Sequence, residues 1–148
     1  MELIIRKITF ADFDEITELY VETYKKEPWY ENWEKEFAKE KVKNAIENSH
    51  AENYCISKNN IIIGVMLAYR FYYINKIDLY IEDFFVEYST QKKGIGKYFL
   101  ENIEKEMKQK NFSSMVLLTK KAFPSEFFYT KNGFGTSTDM ILMYKEIQ

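Results

Sequence analysis

Three stretches of this chain carry residue types whose spacing could do chemistry. Glu82 and Asp83 are adjacent carboxylates inside the apolar run Leu79-Tyr-Ile-Glu-Asp-Phe-Phe-Val86. A glycine-containing hexamer, Gln91-Lys92-Lys93-Gly94-Ile95-Gly96, lies shortly downstream. Phe127-Phe-Tyr-Thr-Lys-Asn-Gly-Phe134 sets Tyr129 in an aromatic segment closed by a glycine. A carboxylate in an apolar strand is costly to bury without a partner. It is either paired with a Lys or Arg, left at an exposed end of the strand, or placed on the floor of a cleft. In a cleft it would attract a cationic amine and take its proton, directly or through water, and burial would raise its pKa toward that role. A tyrosine hydroxyl can protonate or hydrogen-bond a leaving group.

The hexamer follows a strand and precedes a helix. Glycines let the backbone approach a ligand closely, the first helical N–H groups lack intrahelical acceptors, and the helix dipole favours an anion there. Lys92 and Lys93 add positive charge. Two phosphate-binding patterns are excluded. A Gly-x-x-x-x-Gly-Lys-Ser/Thr loop would end on Gly96-Lys97, but Gln91 stands in place of its first glycine and Tyr98 in place of its hydroxyl. A Gly-x-Gly-x-x-Gly fingerprint would need a third glycine where Phe99 stands. A glycine turn that merely opens a helix is the bland alternative.

The elements that must position these residues read as follows. Leu3 to Ile8 is a first strand. Thr9 with Asp12 starts a helix in capping-box style, with Phe13, Ile16, Leu19, Tyr20 and Tyr24 on its apolar face, and Pro28 ends it. A second helix runs to about Asn48, with Trp33, Phe37, Val42, Ala45 and Ile46 as its apolar side, and the charges from Glu31 to Lys43 read as a solvated face. Tyr54–Ser57 and Ile61–Tyr73 are strands, with a turn at Lys58-Asn-Asn60. Gly64 in the longer strand suggests a bulge or a close approach. Ile77–Val86 is the next strand, on which Tyr80, Glu82, Phe84 and Val86 would share one face and Leu79, Ile81, Asp83 and Phe85 the other. Lys97–Lys110 is helical, Ser114–Thr119 a strand, and Pro124–Lys131 a short helix stopped by Asn132-Gly133. Phe134–Ile147 supplies one or two final strands. The order β-α-α-β-β-β-α-β-α-β(β) predicts an α/β fold with a mixed, mostly antiparallel sheet of six to seven strands and helices on both faces. With 2 Pro and 5 Gly, no linker is evident, so residues 1–148 are expected to form one domain.

Taken together, the order of elements, the Gln-x-x-Gly-x-Gly loop and the strand before it resemble the GNAT superfamily of acyl-CoA-dependent N-acyltransferases, over nearly the whole chain. The strand Leu79–Val86, with Tyr69-Arg-Phe-Tyr-Tyr73 before it, is most similar to spermidine/spermine acetyltransferases. Glu82, Phe85 and Val86 also match a Glu-x-x-Phe-Val variant of aminoglycoside acetyltransferases. Phe-Tyr-x-x-x-Gly-Phe resembles the family motif at Tyr129. The resemblance implies an enzyme that moves an acetyl group from acetyl-CoA to a primary amine of a small cationic substrate, polyamine-like or aminoglycoside-like, by direct attack in a ternary complex. It assigns Glu82 and Tyr129 catalytic roles as base and acid. Cofactor contacts would fall on Phe85, Val86, Gln91, Lys92, Lys93, Gly94, Ile95, Gly96, Lys97 and Lys131, and acceptor contacts on Glu82, Asp83, Trp29 and Tyr72. The loop departs from the common Arg-Gly start, and Ala122 and Ser125 stand where the family often has Asn and Ala. The alternatives are a peptide or protein N-acetyltransferase and a module that binds acyl-CoA without turnover. Many members are dimers, so the resemblance admits a homodimer.

Composition narrows the partners. Net charge is −2 and the pI is near 5.6, which favours neither nucleic acid nor an anionic membrane as partner. No apolar run reaches the roughly 18 residues of a membrane span. The start of the chain lacks a signal-peptide pattern, so a cytoplasmic protein is expected. The single cysteine, Cys55, fits a reducing compartment and reads as a buried, inert thiol. His50, the single histidine, reads as a capping or surface residue, and no metal cofactor is expected.

Overall fold

In the computed structural model, which describes residues 2–148, five segments pair into one sheet. They are β1 (Leu3–Lys7), β2 (Tyr54–Lys58), β3 (Ile61–Tyr73), β4 (Lys76–Val86) and β5 (Ser114–Leu117), hydrogen-bonded in that order. The first four run antiparallel, and β5 runs parallel to β4. The helices are α1 (Phe13–Lys25), α2 (Lys35–Glu47), α3 (Ile95–Gln109) and α4 (Pro124–Lys131). The chain divides into two compact units, Met1–Leu118 and Thr119–Gln148.

Local chemistry explains the first turn. The Thr9 N–H donates to Asp12 Oδ2 at 2.9 Å, completing the expected capping box ahead of α1. Arg6 of β1 donates to both Asp12 oxygens, at 2.8 and 2.9 Å, and holds that carboxyl below its ordinary pKa. α1 then buries Ile16, Tyr20 and Tyr24, each four residues from the next, along one stripe.

Within the first unit, helices cover both faces of the sheet. Val65, Leu67 and Phe85 join Ile16, Tyr20, Ala38, Val42 and Ala45 in a core under α1 and α2. Phe84 points the other way and packs on Phe99 of α3, with ring centroids 5.3 Å apart. Gly64 fulfils both readings of its position. The β2–β3 register shifts at Ile56/Ser57, and a Cβ at Gly64 would lie 2.7 Å from Ile56 Cγ2.

Two expectations are corrected. Phe37 is 67% exposed, because the buried stripe of α2 runs through Ala38, Val42 and Ala45. Phe37 lies about 100° around the helix from Ala38. The sheet also has five strands, not six or seven, because Phe134–Ile147 forms no strand. Its residues Met140, Ile141, Leu142, Met143 and Tyr144 are 71–86% exposed. A β-prone run becomes a strand only when an edge pairs with its N–H and C=O groups, and sequence pattern cannot supply that partner.

Candidate active site

The acidic pair sits on a defect in β4. Leu67 of β3 pairs with Asp83, but its neighbour Ala68 pairs with Ile81, so Glu82 is an extra residue bulged from the ladder. The bulge resets side-chain alternation. Tyr80, opposite Tyr69, therefore shares a face with Asp83 and Phe85 beneath α1 and α2, contrary to the strict period of two expected from the sequence.

The same bulge lets two sequence neighbours meet one cation. Lys41 Nζ of α2 lies 3.1 Å from Glu82 Oε2 and 3.5 Å from Asp83 Oδ2. Asp83 is the deeper carboxylate, its side chain 9% exposed against 34% for Glu82 and 29% for Lys41. Its Oδ1 accepts hydrogen bonds from Tyr20 Oη at 3.1 Å and Tyr24 Oη at 3.0 Å. Its Oδ2 is buried and has no hydrogen bond. Burial raises the Asp83 pKa, against the opposing pull of Lys41 and the two hydroxyls. Burial alone would lower the Lys41 pKa, but the charges of Asp83 and Glu82 outweigh it and raise it. The carboxyl shifted upward by burial is thus Asp83, while Glu82 stays open to solvent.

Aromatic rings wall this cluster. Tyr20 packs edge-on against Trp33 and Phe85, with centroids 5.1 and 5.7 Å away. Trp29 packs against Tyr24 at 5.8 Å, which brings the expected acceptor residue Trp29 to a ring that contacts Asp83. Tyr72 is not brought to the cluster. It alternates with Tyr69 and Phe71 onto the opposite face of β3, and its ring lies 5.6 Å from His50. Sequence pattern alone does not bring Lys41, Tyr20 or Tyr24 to these carboxylates, since Lys41 reads as one charge on a solvated helix face. The available signal was Tyr20 and Tyr24 at i, i+4 in an apolar stripe, because buried tyrosine hydroxyls need partners.

The glycine loop is built by backbone. After β4, a 3₁₀ turn at Tyr88–Thr90 leads to Gln91, whose Nε2 donates to the Val86 carbonyl at 2.8 Å and pins the loop to the strand end. Gly94 adopts φ +82° at the N-cap of α3, a conformation that L residues rarely hold. No side chain caps that helix start, so its first N–H groups are left to solvent or ligand, flanked by the exposed Lys92, Lys93 and Lys97. Ile95 and Gly96 are the first two residues of the helix. The site fits a pyrophosphate by that arrangement of donors and charge. Strand pairing between β4 and β5 ends at Ile81–Leu117, so β4 beyond that point, including Phe85 and Val86, is paired with β3 alone.

Tyr129 and Lys131 belong to the second unit. Lys131, at the end of α4, is exposed. The Phe134 N–H donates to the Tyr129 carbonyl at 3.0 Å and the Gly133 N–H to Thr130 at 3.2 Å, with Gly133 at φ +93°. The Phe134 ring closes on Tyr129 at 5.2 Å. This is a Schellman cap with its hydrophobic contact. The Tyr-x-x-x-Gly-Phe spacing is thereby explained as a helix stop.

The discounted residues sit as expected. Cys55 is fully buried, and burial pushes its thiol up to about 11. His50 is exposed. Among the described residues no group of His, Cys, Asp or Glu could hold a metal ion, and no helix is long and apolar enough to cross a membrane.

Comparison with known proteins agrees with this architecture. Among curated proteins no sequence match was found. A possible acetyltransferase from Clostridium difficile 630 superposes with a TM-score of 0.86 at 16% identity, covering 100% of both chains. An aminoglycoside acetyltransferase from an uncultured soil metagenomic sample, in complex with sisomicin, gives 0.74 at 17% identity, covering 99% of this chain and 97% of that one. An aminoglycoside N-acetyltransferase in complex with CoA gives 0.76 at 16% identity, covering 99% and 96%. The sequence itself matches the acetyltransferase (GNAT) family over residues 13–134, a span that holds the β4 bulge, the glycine loop and Tyr129, and the chain therefore belongs to the GNAT family of acetyltransferases.

Proposed function

We propose that the protein transfers an acetyl group from acetyl-CoA to a primary amine of a small cationic acceptor. The observation that carries this is the bulge, which points Glu82 and Asp83 at one ammonium position, now taken by Lys41. A neutral amine would attack the thioester carbonyl. The N–C bond forms, the C–S bond breaks, and the thiol of CoA departs. Glu82, the more open carboxylate, takes the amine proton directly or through water, while Asp83 anchors the cation from below. Tyr129 gives its hydroxyl proton to the departing thiolate, a role assigned from its family motif. The 91–96 loop would hold phosphate through its backbone, and Lys131 is assigned a cofactor contact from its family motif alone. The pantetheine arm would lie along Phe85-Val86, where β4 is paired with β3 alone. Trp29 borders the acceptor. We read residues 1–148 as one functional acetyltransferase. The aminoglycoside acetyltransferases among its structural relatives favour a small-molecule acceptor over a peptide.

The test is thiol release by purified protein from acetyl-CoA over a panel of polyamines, aminoglycosides and short peptides. Release with cationic small amines supports the reading. Release with peptides alone would replace it, and tight CoA binding without release from any amine would mark a non-catalytic module.

A further inference from the structure

Lys41 is placed oddly for an acetyltransferase of cations. Its ammonium occupies the spot where Glu82 and Asp83 converge. It is not the sole support of the buried carboxylate, because Tyr20 and Tyr24 already donate to Asp83 Oδ1. What Lys41 covers is Asp83 Oδ2, an acceptor with no hydrogen bond at all, and the outer oxygen of Glu82. The ion pairs here join two carboxylates from β4 to one ammonium from α2, and Glu31 adds a further negative charge within reach of Tyr20. A lysine on a flexible four-carbon stem, partly open to water, can leave without the helix moving.

We propose that Lys41 is a specificity-determining residue of the acceptor site: a tethered ammonium that holds the acceptor's place and admits amines of two or more positive charges in preference to monoamines. This inference rests on the acceptor reading above. The reasoning is competition. A tethered group acts at an effective concentration on the order of millimolar or higher. A monoamine exchanges one ammonium for another and gains nothing in charge, so it loses to the tether at lower concentrations. A di- or triamine replaces the Lys41 ammonium and keeps further positive charge in the field of the uncompensated carboxylate. Asp83 Oδ2 then gains the hydrogen bond it lacks from an acceptor N–H.

The experiment compares wild type with Lys41→Met and Lys41→Gln, using butylamine, 1,4-diaminobutane and spermidine as probes. Calorimetry measures binding without acetyl-CoA, and steady-state kinetics measures KM and kcat with it. Lys41→Gln removes the charge but keeps an N–H for Asp83 Oδ2, so it serves if the Met variant is poorly folded. Both variants should bind butylamine about tenfold tighter, with a matching fall in KM, little change in kcat and a smaller preference for spermidine over butylamine. Lys41→Arg should retain the wild-type preference. Unchanged or weaker amine binding in folded Lys41→Gln overturns the proposal, as does an absence of amine binding to every variant. Tighter amine binding without any turnover would uphold Lys41 and sink the acetyl-transfer reading. Turnover with unchanged selectivity would do the reverse.

Discussion

Eight residues separate the β4 bulge at Glu82 from the glycine loop that begins at Gln91, yet the two are made in different ways. The loop is a backbone device. Gly94 supplies a positive φ, Gln91 ties the turn to Val86, and the start of α3 supplies uncapped N–H groups. The bulge is a side-chain device. One extra residue in β4 turns Glu82 toward Lys41 of α2, beside an Asp83 already held by Tyr20 and Tyr24 of α1. A backbone cradle recognises what every donor of its class shares, and a side-chain cluster drawn from three elements can be re-specified one residue at a time. On the proposed reading, the loop would serve a constant donor and the bulge an acceptor that can vary.

That division can be broken by mutation. Glu82→Gln should have the largest effect, lowering kcat/KM for the amine on the order of 10²–10⁴-fold while leaving KM for acetyl-CoA near wild type. An unchanged rate and amine affinity would remove Glu82 from the acceptor site. Tyr129→Phe keeps the ring that packs on Phe134 and so keeps the cap of α4. Its kcat should fall roughly 10²-fold, by analogy with the loss of one transition-state donor. A wild-type kcat would show that the tyrosine only stops a helix. Gly94→Val forces a branched residue to φ +82°. The strain is about 1–3 kcal/mol, so KM for acetyl-CoA should rise roughly tenfold or more with the amine KM unmoved. If the amine constant moved instead, the loop and the bulge would not be separate devices.

The smallest effect lies outside both. Ile74 holds φ +42° at the tip of the β3–β4 hairpin, 72% exposed, where a β-branched residue is strained. Ile74→Asn should stabilise the protein by about 1 kcal/mol, seen as a few degrees in Tm, with kinetics unaltered. A kinetic change there would mean that the acceptor site extends along the hairpin.

Much of this was legible in the residues because it is local. The capping box at Thr9 and Asp12, the helix over Pro124–Lys131 and its stop at Gly133, and the glycine turn before α3 depend on side chains and dihedrals a few positions apart. The tight fit at Gly64 was also legible, since the missing side chain announced a close approach. Phe134–Ile147 shows the limit from the other side. Its pattern is that of a strand, but a strand needs an edge to pair with, and the sequence names none.

The sequence by itself determined that a carboxylate pair precedes a glycine loop opening a helix, in a GNAT order of elements. Tertiary structure alone decided which carboxylate is buried and what faces it. A bulge shifts the register by one residue and so changes the face on which side chains lie, and nothing in Leu79–Val86 marks where the partner strand will slip. Lys41 is 41 residues from Glu82 and on another element, so its charge joined the site only when α2 packed on the sheet.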